Sequence, residues 1–481
     1  MLSRFISDNT PTFTKHIGLL FLVVVLVNLF FRVFYLEYSS YWYDEIISIK
    51  AASEDFGHIK HVSEWDNNPP FYYYCLSVWI KLWNDSEFAS RFLSVLFTAI
   101  GGGVLFVFAN QYFNRNTAIV ASLFYLSNNF IYAYSHEARA YALVVLLVLL
   151  SSYLFFKLKN DLSWKNTVLL GLCNFFLIYT HYIVGLVLVF QWLFVLIWFY
   201  KPWIKKYLIS TLLVVVLVLL RFSKKQWLLI IGFNKPESKF WLQKSDVELL
   251  HKTLSEFFFQ SSFIFPFLLV IVVGLVLFFK LKNQEKLQVY LYSFLVGIAS
   301  IVILYFMGKR VSIFLDRYLI FCLPFIFILI AATLTLFRYN IVIMILVLAF
   351  SIYSILQIDF KTEKSMNYRE AVAYLKENTT SNDLIIVKTK DMQPLFSYYY
   401  EKNYLKEKRK QLQQKNIEFC NSWEDLSVNV DDFERVIVVD SFYELNPFET
   451  DFVKQLSSSN KLISTNTQFK GIRITEYHKL E

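Results

Sequence analysis

The stretch HIGLLFLVVVLVNLFFRVFYLEYSSYWYDEIISIK, residues 16–50, decides how the chain is read. Its first part is an apolar run over residues 16–36, long enough as a helix to cross the hydrocarbon core of a bilayer. Its second part sets two adjacent carboxylates, Asp44 and Glu45, among Tyr41, Trp42 and Tyr43. Acids at the mouth of a membrane helix are costly to keep near lipid, so they call for a purpose. Arg4, Asp8 and Lys15 precede the run, and Glu37-Tyr38-Ser39-Ser40 after it makes a poor small-residue cleavage site. The expectation is an uncleaved signal anchor.

Outward from that stretch, apolar runs of similar length recur at 92–112, 117–134, 140–157, 166–180, 183–200, 204–220, 262–280, 287–306, 318–337 and 340–358. With hydrophobic residues at 56% and charged ones at 18%, this is the composition of a multi-spanning α-helical membrane protein of about eleven helices. The 50 Phe and 31 Tyr suit lipid-facing and interfacial positions. A cytoplasmic N-terminus puts NQYFNRN, KLKNDLSWKN, YKPWIKK, KLKNQEK and FRYN on the cytoplasmic side, and each carries Lys or Arg, as the positive-inside rule requires. The net charge of +9 has that origin. No dense basic block stands alone, so nucleic acid is not an expected partner.

The same parity gathers every unusual polar cluster on the outer face. Residues 37–91 hold Asp44, Glu45, Glu54, Asp55, Glu64, Asp66, Asp85 and Glu87. Within them, residues 70–83 are too short and interrupted to span and read as an interfacial or re-entrant helix. Asn68 is its expected cap, with Pro69 in the first turn. After residue 360 the composition changes. NYREAVAYLKEN reads as helix, NDLIIVK and ERVIVVD as strands, and the end as one or two more strands. The expected division is a membrane module over 1–360 and an outer α/β domain over 361–481. Cys75, Cys173 and Cys322 lie in apolar surroundings and Cys420 in the polar tail. With no CxxC and no Cys/His cluster, neither a disulfide framework nor a structural zinc site is expected.

Four outer-face features can carry chemistry. Asp44 and Glu45 are adjacent, so on a helix they point about 100° apart and suit different roles, one at a reacting centre and one bracing the loop. His136, Glu137 and Arg139 share a short turn between apolar helices, where ionisable groups are functional candidates by default. His181 stands at another outer helix end, where a lone His is more often a polar cap. Lys309, Arg310 and Arg317 can hold an anion or snorkel at a helix end. Carboxylates, cations and an aromatic rim suit glycosyl transfer from a lipid-phosphate sugar. The acceptor hydroxyl needs a base, and the phosphate leaving group needs cations rather than an acid.

In this order, YWYDEIISI, NNPPFYYYCLSVWIKLWNDSEFASRFLSVLF, YSHEARAYAL, DRYLIFCLP and NYREAVAYLKEN resemble the bacterial family 39/83-type glycosyltransferases. These are GT-C-fold enzymes related to protein O-mannosyltransferases and the aminoarabinose transferase of lipid A. The resemblance implies an inverting transfer from a polyprenyl-phosphate carrier to a lipid, glycan or protein acceptor outside the bacterial inner membrane. It implies that Asp44, with Glu45 beside it, is the first-loop acid, Glu137 and Arg139 the second-loop acid and cation, and Arg317 the cation before the Leu-Pro pair. His136, His181, Lys309, Arg310 and Asn68 are further candidates for substrate contact. Relatives often carry His, Lys or Glu before the paired prolines. This chain has Asn67 and Asn68, so no second acid or metal ligand is implied there. The resemblance leaves a divalent metal open and implies no other cofactor.

Three other readings stay open on the residues alone. A transporter or flippase of lipid-linked sugars is disfavoured by charge-free helix centres and the lack of a repeat. An O-antigen polymerase or ligase would favour an outer loop rich in Arg and His, whereas the 221–261 loop is rich in Lys, with Lys224, Lys225, Lys235, Lys239, Lys244 and Lys252. A non-catalytic scaffold would make the tail domain the working part.

Overall fold

The computed structural model describes residues 16–65, 68–198, 201–231, 244–281, 283–337, 340–361, 366–402, 415–441, 455–456 and 460–479. Asp66, Asn67, Lys235 and Lys239 lie outside the described residues. The chain forms two compact units, one from Met1–Phe34, Lys60–Cys75 and Arg91–Ile358, the other from Tyr35–Ile59, Leu76–Ser90 and Asp359–Glu481. The change of composition near residue 360 falls at the boundary between Ile358 and Asp359, and two early stretches, Tyr35–Ile59 and Leu76–Ser90, join the tail in the second unit.

Among the described residues six helices are long and apolar enough to cross a membrane: Glu87–Tyr112, Tyr141–Asn160, Lys201–Arg221, Ser261–Lys280, Gln284–Gly308 and Asp316–Leu334. Ile17–Arg32, Trp164–Ile178, Tyr182–Ile197 and Ile341–Leu356 are shorter apolar helices. Asp316–Leu334 and Tyr141–Asn160 are mostly buried, whereas Lys201–Arg221 and Ser261–Lys280 leave most of their apolar side chains exposed. Helices apolar all round can occupy either position in a membrane bundle.

The run at 117–134 is not one helix. It is two, Arg115–Ser127 and Asn129–Ser135, broken at Asn128. Asn128 Oδ1 accepts the Ile131 N–H at 3.0 Å and starts the second helix. The break orphans the last carbonyls of the first helix. Fully buried Arg32, at the end of Ile17–Arg32, donates from Nη2 to the Tyr125 and Leu126 carbonyls at 3.0 and 3.3 Å. Its Nη1 is held by Asn28 Oδ1 at 2.8 Å. Asn128 Nδ2 meanwhile donates to the Glu256 and Phe257 carbonyls at the end of Val247–Phe257, at 3.3 and 3.4 Å. One asparagine thus starts one helix and caps another.

Deeper in the bundle the helices are joined by a polar network. Gln191 Nε2 donates to Ser151 Oγ at 2.8 Å, and Gln191 Oε1 accepts from Asn174 Nδ2 at 3.1 Å and from the Tyr207 hydroxyl at 3.0 Å. Ser152 and Tyr292 hydroxyls pair at 3.0 Å. Such side chains find partners on neighbouring helices because lipid offers none. Gly274 allows another close approach. A Cβ there would stand 2.0 Å from both Thr333 Oγ1 and the Tyr290 hydroxyl, which donates to the Ile271 carbonyl at 3.0 Å.

The helix expected near 70–83 runs from Phe71 to Leu82. Asn68 is therefore not its cap, because Pro70 precedes the first helical residue. The first N–H, that of Phe71, donates to the Tyr179 carbonyl at 3.1 Å. A tertiary carbonyl takes the place of the side-chain cap.

The second unit holds a five-stranded sheet of order β2-β1-β3-β5-β4. The strands are β1 Leu384–Lys388, β2 Ile417–Cys420, β3 Arg435–Asp440, β4 Asn460–Phe469 and β5 Ile472–Lys479. β1 runs parallel to β2 and β3, and β5 antiparallel to β3 and β4. Leu384, Ile386, Val436, Val438 and Tyr477 form its core. Lys388, Asp440 and Arg473 stand opposite one another on β1, β3 and β5. Asp440 pairs with Lys388 at 2.9 Å and Arg473 at 3.5 Å, which offsets the cost of burying those charges. β2, only four residues long, has no sequence signal strong enough to reveal it.

Replacing Arg32 by Met should strand the Tyr125 and Leu126 carbonyls in an apolar interior and cost about 3 kcal/mol, measured by denaturant unfolding in detergent. Glu256 supplies a pH-dependent test. Burial first, then the Asp316 charge, raises its carboxyl above the usual range, with Lys252 opposing. A carboxyl raised in the folded state favours folding when protonated, so that contribution is present at low pH and lost as pH rises through the folded pKa. Glu256→Gln should therefore stabilise the protein at neutral pH, and the difference should vanish below about pH 4, near the ordinary Glu pKa, in a thermal-unfolding series.

Candidate active site

The helix break sets up the first group of candidate residues. The short helix after Asn128 delivers the chain into the turn His136–Arg139, where the Arg139 N–H donates to the Glu137 carbonyl at 2.8 Å. Ser94 Oγ donates to the same carbonyl at 2.6 Å, and Ser94 in turn lies 3.4 Å from the Tyr72 hydroxyl. His136, Glu137 and Arg139 are exposed by only 6, 7 and 6%. The Tyr132 ring packs on His136 with centroids 4.3 Å apart. An acid and a cation held in a buried turn are costly unless their surroundings answer them.

Those surroundings come from the Asp316–Leu334 helix. It opens as a tight turn over Asp316–Cys322, and Asp316 Oδ1 accepts the Arg317 N–H at 2.7 Å. The helix Asn129–Ser135 packs against the Asp316–Cys322 turn, and Tyr134 on it feels the charges of Glu137, Asp316 and Arg317. The Arg317 guanidinium stands 5.9 Å from the Tyr318 ring, and Tyr318 meets His181 edge-on at 4.9 Å. Glu256 lies within reach of the Asp316 charge. Asn68, half-buried, lies three residues before Phe71, whose N–H is bound at the Tyr179–His181 turn.

Glu137, Arg317 and His181 are therefore gathered within one unit, linked through Tyr134, Asp316 and Tyr318. Lys309 and Arg310 are exposed instead. Lys309 lies over the Tyr305 ring at 4.9 Å, the posture of a snorkelling cation. Sequence reasoning passed over Asp316, Glu256 and Tyr134. Asp316 adjoins Arg317 and was legible as an acid beside a candidate cation. Glu256 and Tyr134 carry no local signal, because only packing brings them near the turn.

Asp44 and Glu45 belong to the second unit, in the first turn of the helix Tyr43–Ser53. Their environments differ, as their angular separation requires. Glu45 is fully buried, and its Oε2 accepts the Trp42 N–H at 3.3 Å, closing the helix start. Asp44 is partly exposed, and its carbonyl accepts from Ser48 Oγ at 3.1 Å. A carboxylate near a helix N-terminus sits in a favourable field. Among the described residues no three His, Cys, Asp or Glu side chains converge as a metal site.

Residues 67–224 match the family described as dolichyl-phosphate-mannose-protein mannosyltransferase. No curated protein matches by sequence. The fold is similar to that of ArnT from Cupriavidus metallidurans bound to undecaprenyl phosphate, with a TM-score of 0.62, 14% identity and coverage of 96% of this chain and 97% of that one. It is also similar to the oligosaccharyltransferase AglB from Archaeoglobus fulgidus in complex with an inhibitory peptide and a dolichol-phosphate, with a TM-score of 0.54, 8% identity and coverage of 88% and 70%. The chain is a membrane protein of the GT-C glycosyltransferase fold, and its segment 67–224 matches the dolichyl-phosphate-mannose-protein mannosyltransferase family.

Proposed function

We propose that the protein is an inverting membrane glycosyltransferase. It moves a sugar from a polyprenyl-phosphate carrier to a hydroxyl of a lipid, glycan or protein acceptor on the outer face of the bacterial inner membrane. The observation that carries this reading is the gathering of Glu137, Asp316, Arg317 and His181 at the ends of apolar helices. Ionisable groups kept in such a setting mark a site rather than a scaffold. The reading is supported by the carriers named for the similar structures, undecaprenyl phosphate for one and dolichol-phosphate for the other.

In this reading residues 1–360 carry the transfer chemistry and 361–481 form an outer domain. Asp44 accepts the proton of the acceptor hydroxyl as its oxygen attacks the anomeric carbon. The bond from that carbon to the phosphate oxygen breaks, and the polyprenyl phosphate leaves with the electron pair. Arg317 and Arg139 hold the departing phosphate, with Lys309 and Arg310 in reserve, because a phosphate leaving group needs charge rather than a proton. Glu45 braces the helix start. His136, His181 and Asn68 contact the substrate, and Glu137 is the second candidate for the base.

Asp44→Asn keeps the shape and removes the charge. It should retain donor binding and lose turnover by about 10²–10⁴-fold, read as glycan product in a deletion strain of the native host complemented with the variant. Near wild-type product would transfer the role to Glu137. Arg317→Ala should weaken binding of undecaprenyl phosphate strongly, and Arg317→Lys should recover only part of it, since an ammonium lacks the planar fork. Equal binding would leave Arg317 as an anchor. A reporter active only in the cytoplasm, fused after Glu481, should be silent, and signal there would overturn the outer assignment.

A further inference from the structure

We propose that the C-terminal segment acts as a clamp that sets the backbone of the Asp44 loop, with Arg369 and Tyr399 as positioning residues. The inference rests on the assignment of Asp44 above and gives the C-terminal domain a task in the reaction. Arg369, in the helix Tyr368–Asn378, spreads its guanidinium over two consecutive carbonyls. Nη1 donates to Glu37 at 2.8 Å and Nη2 to Tyr38 at 2.7 Å. Nη1 also reaches Glu87 Oε1 at 3.4 Å. Tyr399, in the helix Gln393–Tyr400, accepts the Tyr41 N–H at 2.7 Å and donates to Glu87 Oε1 at 2.7 Å. Ser40 Oγ donates to the Met366 carbonyl at 2.7 Å.

The clamp continues below these contacts. The Tyr41 side chain is fully buried, its hydroxyl donates to the Asp85 carbonyl at 3.0 Å, and its ring meets Tyr398 edge-on at 5.2 Å. The Tyr398 hydroxyl donates to the same Asp85 carbonyl at 2.8 Å. Glu45 then takes the next N–H, that of Trp42. From Glu37 to Trp42 the chain is thus held at two carbonyls, two N–H groups and a buried ring, and Asp44 follows two residues later. Most loops leave such groups to water. Here the Glu37 and Tyr38 carbonyls and the Tyr41 N–H are held by partners more than 300 residues away. A planar fork on two successive carbonyls fixes orientation as well as distance, which a general base needs, because a displacement of about 1 Å can cost on the order of 10²-fold in rate.

The first test is hydrogen exchange on the full-length protein in nanodiscs. Tyr399→Phe should speed exchange at the Tyr41 amide by about tenfold, the equivalent of one lost hydrogen bond. Lys415→Ala, which removes an exposed ion pair with Glu401, should leave that amide as it was. Unchanged exchange in Tyr399→Phe would overturn the clamp. The second test reads glycan product in the complemented deletion strain at equal membrane abundance. Arg369→Ala should lower product by on the order of 10²-fold, and Arg369→Lys should restore part of it. Product equal to wild type in Arg369→Ala would overturn the positioning role. Full product in Asp44→Asn would instead overturn the assignment of Asp44, while the exchange result still reports on the clamp by itself.

Discussion

The break at Asn128 is the constraint on which the first unit depends. A helix interrupted among apolar side chains leaves carbonyls that neither water nor the helix itself can satisfy. Arg32 supplies donors from another helix, and Asn128 supplies both an acceptor to start the next helix and a donor to end a third. A guanidinium suits this place because its charge also lies at a helix C-terminus, where the backbone dipole favours a cation. With the break held, the chain has only seven helical residues before it must turn. That turn is the one that buries His136, Glu137 and Arg139.

The same logic recurs in two other clusters of buried polar groups. In the bundle interior, Gln191 uses both ends of its amide to connect Ser151, Asn174 and Tyr207. In the tail sheet, Asp440 takes charges from the strands on both sides. Each cluster is satisfied only in one arrangement of helices or strands, so it selects that arrangement against others of similar apolar burial. Burial of apolar surface by itself does not discriminate between neighbours inside a membrane, where lipid is as apolar as Leu.

Asp44 and Glu45 show how position along a helix separates the surroundings of two identical functional groups. Both stand in the first turn of Tyr43–Ser53, yet one closes the helix start in full burial and the other keeps contact with solvent. In the mechanism proposed above, the acid that reacts needs access and the acid that braces needs none. Neighbouring positions on a helix provide that difference because they point in different directions.

Much of the architecture follows from the chain itself. Runs of apolar residues have no stable place but a membrane or a core, and their length specifies helices. Lys and Arg between alternate runs imply a sidedness, and in the tail two apolar runs read as strands and the end as one or two more. The acids and cations at one set of helix ends were legible because ionisable residues are rare enough in such a sequence to stand out. What the tertiary structure decided was the partnership of single residues. Arg32 and Asn128 lie inside apolar runs and Arg369 is one charge on the helix Tyr368–Asn378, and the distant partners that give each its task lie on other elements. Their donors are satisfied by carbonyls 93 and 332 residues away for the two arginines. A sequence pattern reports periodicity within one element, whereas a hydrogen bond between elements depends on distances that only packing sets.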